Sequence, residues 1–362
     1  EYRRQRQMCI RDSIHSGLYY KPGSLKALNC RSGYQQLLDF CQTENIPYEI
    51  CGKLVVATSE NELPRLEELY RRGIGNGLEG LRFLEPDAIR EIEPYCTGLR
   101  ALWVPQAGIV DYSQVAARYS EKLRNLGAEI LLGDAVQAIR QGSNQVDVIS
   151  LSGCRSGQAV VVCAGLQSDR LARQTLPDLP LRILPFRGEY YTLKPEACNL
   201  VRHLIYPVPD PAFPFLGVHF TRMIGGGIEC GPNAVLALGR EAYRKTDFNL
   251  SDTWETLTWP GFRKVASRYW QAGLGEYYRS MSKSAFVRAL QKLIPEVQAE
   301  HLGPGGAGIR AQACDRDGHL LDDFDIRVDG KVIYVCNAPS PAATASLAIG
   351  NTLSKYALSL FN

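Results

Sequence analysis

Between residues 111 and 126 apolar side chains recur at Tyr112, Val115, Ala116, Tyr119, Leu123 and Leu126, the spacing of one face of a helix. Asp111 and Gln114 have the form of a capping box at its start, and Gly127 suits the left-handed position that ends it. The run AEILL at 128–132 predicts a strand directly afterwards. AVVVCAG at 159–165 reads as a buried strand leading into a short helix in SDRLARQ. VIYVC at 332–336 reads as another, followed by a long helix over 341–360. Strand–turn–helix units of this kind predict a mostly parallel sheet with helices packed on it.

A second texture, rich in short strand patterns, Pro and Gly, spans roughly 176–239. LRILPFRGEYYTL contains short strand patterns, and YPVPDPAFPF carries four prolines, which makes it a loop or a sheet edge. LGVHFTR alternates: Leu216, Val218 and Phe220 share one face, and Gly217, His219 and Thr221 the other. The α/β texture returns after about Gly303. The fold class expected is therefore α/β (α+β overall), with a Rossmann-like domain and an antiparallel β-sheet domain, both discontinuous in sequence.

At 362 residues the chain is long enough for two such domains. A net charge of +3 with interspersed signs gives no footprint for nucleic acid and is compatible with a small anionic substrate. The 11 cysteines include no C-x-x-C pair, and several, such as Cys163 and Cys336, lie in apolar runs. They read as small buried hydrophobes in a reducing compartment. No apolar run reaches the ~18 residues of a membrane span. The basic opening segment has no apolar core behind it, so it is not a signal peptide.

GNGLEG at 75–80 and GPGGAG at 303–308 both match G-x-G-x-x-G. A dinucleotide fingerprint leaves a strand and opens a helix. The first match follows an amphipathic helix (LPRLEELYRRG) and reads as a helix-ending turn. The second precedes the strand-like IRAQAC and reads either as a place of close backbone approach or as a plain loop. At the C-terminal end Ser340 suits an N-cap and Pro341 an N1 residue, while Ala342 and Ala343 keep the first turn free of bulk. Such a helix start would offer a partial positive charge to a ligand. Arg310, set among small residues in AGIRAQA, can fork onto a carboxylate. Arg187 in PFRGEYY and Arg222 in HFTR are weaker candidates, and parity suggests that the strand ends before Arg222. Of the five histidines, His219 lies off the apolar face of its strand and His15 precedes Ser16-Gly17. Either can take a hydroxyl proton near neutral pH, with His219 favoured. No metal motif, nucleophile elbow or P-loop occurs.

The segments IHSGLYYKPGSLKALNC, VDYSQVAARYSEKLRNLGAEI, VVVCAGLQSDRLA, PFRGEYYTL, LIYPVPDPAFPFLGVHFTR, GPNAVLALGREAY, GIRAQACDRDGHLLDDF and NAPSPAATASLAIG together resemble L-2-hydroxyglutarate oxidases/dehydrogenases of the D-amino-acid-oxidase-like FAD superfamily. The resemblance runs from about Ile14 onward. It implies an FAD-binding domain over 13–45, 110–175 and 300–362, and a substrate domain over 46–109 and 176–299. It implies oxidation of L-2-hydroxyglutarate to 2-oxoglutarate by hydride transfer to FAD. His15, Ser16 and Gly17 match the family's segment beside the flavin, Ala164 and Gly165 its second cofactor strand, and Asn337 with Ser340, Pro341, Ala342 and Ala343 the segment under the pyrimidine edge. Arg310 matches the arginine that grips the substrate carboxylate, which leaves Arg187, Arg222 or Lys21 for a second carboxylate.

The family's opening strand, fingerprint, helix and second strand are not recognisable. The chain is therefore expected to lack the first βαβ unit, with residues 1–12 foreign to the fold, and to be colourless as it stands. The electron acceptor is left open among oxygen, a quinone and a carrier flavoprotein. The expected location is cytoplasmic, with peripheral contact at the inner face of the membrane as an option. The rival readings are an amino-acid or amine oxidase on the same fold and a non-catalytic fragment.

Overall fold

A computed structural model of the chain describes residues 13–210 and 216–361. The expectation about residues 1–12 falls outside them, as does the 211–215 part of the proline-rich stretch. Among the described residues, nine strands form one large sheet. Lys53–Ala57 lies near its middle, parallel to Leu204–Pro207 and antiparallel to Arg100–Val104. Leu204–Pro207 pairs in turn with His219–Arg222, and that strand with Ile228–Gly231. The sheet continues through Leu181–Leu193, which runs antiparallel to Leu302–Asp315 along almost its full length. The antiparallel sheet expected from the second texture is present.

The period-2 rule divides this sheet cleanly. Leu54, Val56, Ile205, Val218 and Phe220 bury one face against the helix Lys283–Leu290 and the residues just after it. Ile205 pairs with Phe220, so Tyr206 and His219 stand opposite each other on the other face. Leu204 pairs with Lys53 and Tyr206 with Val55, so Lys53 shares that second face.

The α/β part supplies a smaller sheet, in which Val160–Val162 runs parallel to Val332–Asn337 and Asp325–Asp329 flanks it antiparallel. Helices Leu25–Thr43 and Ser346–Ser359 pack together beside it. Their approach depends on Gly33, where an added Cβ would come within 2.5 Å of the Ala345 Cα.

The capped helix forms over Tyr112–Asn125. The Asp111 carboxylate accepts from Ser113 N and Gln114 N at 2.9 and 3.2 Å. Gln114 Nε2 donates back to that carboxylate and not to the Asp111 backbone, so only half of the box is made. Gly127 takes a φ of +85° as expected. The 75–80 glycines terminate the helix Leu63–Gly75, with positive φ at Gly77 and Gly80.

Several expectations are overturned. AEILL is not a strand: among the described residues no neighbour pairs with it, and Leu131 and Leu132 are exposed. Of the two readings of GPGGAG the plain loop fails and the close backbone approach holds, because the segment is part of the strand Leu302–Asp315. Gly305 fits there because a Cβ would stand 2.2 Å from the Tyr190 carbonyl oxygen, beside a register shift. The strand His219–Arg222 includes Arg222. The last helix begins at Ser346, with Ala345 at its N-cap position and no side-chain cap. Residues 341–345 form tight turns, closed by the Ala345 N bond to the Pro341 carbonyl at 3.0 Å. Cys336 is fully buried, but Cys163 is exposed at the end of a strand paired on one side only.

Candidate active site

Where the second face of the large sheet meets the small sheet there is a cavity of about 870 Å³. The large sheet contributes Tyr206, His219, Thr221, Glu229 and Arg310. The α/β side contributes His15, Gly165, Asn337, Ser340, Pro341, Ala342 and Ala343, and then Ser346, Ile349, Gly350 and Leu353 from one face of the last helix. Nine of the residues singled out in the sequence therefore converge on one space: both histidines, Arg310, Gly165 and the five from 337 to 343.

His219 is only 5% exposed, and its ring stacks on Tyr206 with centroids 3.9 Å apart. Its Nδ1 lies 2.9 Å from the Gly217 carbonyl oxygen. A carbonyl can only accept, so Nδ1 carries the proton and Nε2 keeps a free lone pair. Burial holds the His219 pKa down to about 4; the Gly217 bond opposes this, and Lys53 and Arg310 add to it. Neutral imidazole with an unprotonated Nε2 is the form a general base requires.

His15 follows the short strand Ser13–Ile14 and is held from both sides of the chain. Its N–H donates to Thr344 Oγ1 at 3.1 Å, and its carbonyl accepts from Cys30 Sγ at 3.3 Å. Thr344 is itself tied to Tyr112 Oη at 2.9 Å, and that hydroxyl donates to the Ser13 carbonyl at 3.1 Å. The His15 Nε2 lies 3.5 Å from Ser340 Oγ. Burial, then Lys53, Lys26, His219 and Arg310, bring its pKa down to about 3. Both histidines are thus neutral above about pH 5 in a field made positive by two lysines and an arginine.

Arg310 reaches the cavity from the strand Leu302–Asp315, where Ile309 and Ala311 flank it and Phe186 pairs with it. Arg187 and Arg222 do not line the cavity. Arg187 is buried, with Nε 3.1 Å from Glu189 Oε1 and Nη1 bonded to the Ala242 and Arg244 carbonyls. Arg222 makes a two-pronged pair with Glu49 at 2.7 and 2.8 Å. Both forks are occupied by the protein's own groups. Lys21 is exposed on the turn before the helix Leu25–Thr43 and lies outside the cavity lining. Ser16, Gly17 and Ala164 are not part of the cavity lining, although their neighbours His15 and Gly165 are. Gly17 has a φ of +98°, which lets the chain turn away from His15.

Sequence reasoning missed Lys26, Lys53, Tyr19 and Tyr206. Lys26 lines the cavity and pairs with Asp322 at 2.7 Å. Lys53 is 3% exposed, its Nζ lying 4.4 Å from the Tyr19 ring centroid and 5.0 Å from that of Tyr206. The only signal for Lys53 was a lysine opening an otherwise apolar strand.

One end of the cavity suits a flat group. Small residues (Gly165, Ala338, Ala342, Ala343, Gly350) leave it free of bulky side chains. The Ser16 and Tyr19 hydroxyls are enclosed without a partner among the described residues. The first turn of the last helix lines the cavity at Ser346, and the partial positive charge of a helix start favours an electron-rich ring edge. No group of three or more His, Cys, Asp or Glu suited to a metal occurs among the described residues.

The model of the FAD dependent oxidoreductase family (DAO) matches residues 13–356. The chain is 55% identical to an L-2-hydroxyglutarate dehydrogenase of Indibacter alkaliphilus, over 96% of this chain and 88% of that protein. It is 45% identical to the L-2-hydroxyglutarate dehydrogenase of Escherichia coli strain K12, over 93% and 80%. It is 44% identical to the human mitochondrial L-2-hydroxyglutarate dehydrogenase, over 94% and 77%. In fold it is similar to the FAD-bound L-α-glycerophosphate oxidase of Mycoplasma pneumoniae, with a TM-score of 0.76, 20% identity and coverage of 96% and 82%.

Proposed function

The chain belongs to the FAD dependent oxidoreductase family, and on that premise we propose that it oxidises L-2-hydroxyglutarate to 2-oxoglutarate. The observation that carries this reading is the pairing of a neutral, proton-accepting His219 with Arg310 on one cavity wall, facing the end that suits a flat ring. The names of its relatives support the hydroxyacid over an amine or amino acid.

Bound FAD supplies the acceptor for the hydride that leaves the substrate's α-carbon. Gly165, Asn337, Ser340, Pro341, Ala342 and Ala343 would lie against its ring, with Ser16, Gly17 and Ala164 adjoining them in sequence or space. Asn337 is itself fixed by Nδ2 bonds to the Leu321 and Asp323 carbonyls. Arg310 forks onto the carboxylate next to the reacting carbon and fixes its orientation, which removes much of the entropic cost of reaction. His219 Nε2 takes the hydroxyl proton as the carbonyl forms. His15, tied through its backbone to Thr344, lines the same space and stands ready as the alternative base.

The experiment is anaerobic addition of L-2-hydroxyglutarate to the FAD-loaded protein. Loss of the oxidised flavin absorbance supports the reading. Loss with amino acids or amines but not with the hydroxyacid would refute it.

The reoxidant is an acceptor at a membrane surface in this reading. Helices Leu250–Thr258 and Pro260–Met281 expose Leu250, Trp254, Trp270, Leu274, Tyr278 and Met281, with Arg263, Lys264 and Arg268 exposed nearby. Aromatic and basic side chains combined on one helical pair suit an anionic lipid interface. No helix among the described residues is long and apolar enough to cross a membrane. Sedimentation with anionic but not zwitterionic vesicles, lost in a Trp254→Ser/Trp270→Ser variant, is the expected result.

A further inference from the structure

The oxidation as derived gives Lys53 no task, although its position is costly. The ammonium is enclosed in the middle of the large sheet. Among the described residues it has neither a carboxylate nor a hydrogen-bond acceptor; its contacts are the faces of Tyr19 and Tyr206. A buried charge left unpaired is unfavourable, and a methionine of similar volume would fill the same space without that cost. The groups facing it are Tyr19, Tyr206, Cys30, His15 and His219, all neutral at pH 7. Lys26 and Arg310 share its sign. Among the described residues the carboxylates lining the same cavity are Glu229 and Asp322, and Asp322 is taken by Lys26.

The two tyrosines stand between Lys53 and the cavity, and both line it. Tyr19 Oη is enclosed with no partner among the described residues, and Tyr206 Oη lies 3.4 Å from Ser13 Oγ. A dicarboxylate brings two negative charges. Arg310 can engage one. Arg187 and Arg222 are occupied by Glu189 and Glu49. We propose that Lys53 is the positioning residue that selects a second carboxylate on the substrate, acting through the hydroxyls of Tyr19 and Tyr206. This rests on the hydroxyacid reading above and deepens it. The tyrosine O–H groups donate to the distal carboxylate, and the ammonium behind them makes an anion there more stable than a methyl group. Burial holds the Lys53 pKa down to about 7, and an anion in the cavity would favour the charged form.

The test compares wild type with Lys53→Met and Lys53→Gln as FAD-loaded protein. L-2-hydroxyglutarate is set against L-2-hydroxypentanoate, which has the same chain length and one carboxylate. The preference in kcat/KM for the dicarboxylate should fall about tenfold in both variants, mainly through KM. Melting temperature should stay level or rise in Lys53→Met. Calorimetric titration with glutarate and with pentanoate gives a reading independent of turnover: glutarate should weaken about tenfold and pentanoate should not change. An unchanged preference, an equal loss for both acids, or failure of both variants to fold would overturn the proposal. If wild type oxidised neither hydroxyacid, the activity reading would fail while the two titrations still decided the role of Lys53.

Discussion

Replacing His219 by Gln should make the protein less sensitive to acid as well as less active. In the folded protein the His219 pKa lies at about 4, against the usual 6.5. Between those values the unfolded chain binds a proton at this position and the folded protein does not. Stability therefore falls as the pH drops through this window, and the contribution of neutral His219 is complete above about pH 6.5. The difference, at 1.36 kcal/mol per unit, is about 3 kcal/mol, because the ring is almost wholly buried and little screened. Urea unfolding at pH 7.5 and pH 4.5 measures it: wild type should lose about 2–3 kcal/mol more than His219→Gln over that interval. His15 shares the field, so the double variant with His15→Gln should flatten the dependence further. In kinetics the acid limb of kcat/KM should lie near pH 4–5, well below that of an exposed imidazole, and His219→Gln should lower turnover by about 10²–10⁴-fold with flavin retained. Parallel stability curves for variant and wild type, or an acid limb at pH 6.5, would refute the reasoning.

Arg310→Lys should raise KM for L-2-hydroxyglutarate at least about tenfold, since a point charge cannot reproduce the planar fork; steady-state kinetics decides it, and an unchanged KM would exclude the clamp. Arg222→Ala should leave substrate affinity unaltered, its fork being taken by Glu49. Arg187→Met should instead cost about 1–3 kcal/mol of stability, as read by denaturant unfolding, because the Ala242 and Arg244 carbonyls lose their donor while Glu189 keeps Lys245, Asn233 and Ser280. Gly33→Ala should lower stability by about 1–3 kcal/mol, because its Cβ meets the Ala345 backbone, which cannot move aside as a side chain can. A melting temperature within 1 °C or so of wild type would contradict that contact.

What could be read from the sequence was whatever a short stretch determines by itself. The helix after Asp111 and the alternation around His219 rest on neighbours two to four residues away, and both appear as expected. Arg310, Arg187 and Arg222 have similar local surroundings. What separates them is their place in the fold: Arg310 lines the cavity, whereas Arg187 is held by Glu189 two residues along its own strand and Arg222 by Glu49, which lies 173 residues away in sequence. Ser340-Pro341 has the form of a helix start, but Thr344 is drawn into bonds with His15 and Tyr112, and the chain turns tightly before the helix begins. Lys53 looks like the solvated end of a strand. Only the parallel neighbour Leu204–Pro207 and the two tyrosine rings enclose it. The glycine run at 303–308 announces a close backbone approach as one of two readings, but that Gly305 meets the Tyr190 backbone comes from strand pairing, which no local pattern reveals.

The bond from His15 N–H to Thr344 Oγ1 joins positions 329 residues apart. During synthesis the ribosome will have released His15, the whole large sheet and His219 before Thr344 emerges. Until then the His15 backbone lacks its anchor, and the cavity has one wall. Closing so long a loop comes late and slowly compared with forming a hairpin. A nascent chain would thus carry a finished proton acceptor at His219 for some time beside an open, apolar-lined half-site. The ability to hold a ligand would arrive in a single late event, when the last helix docks.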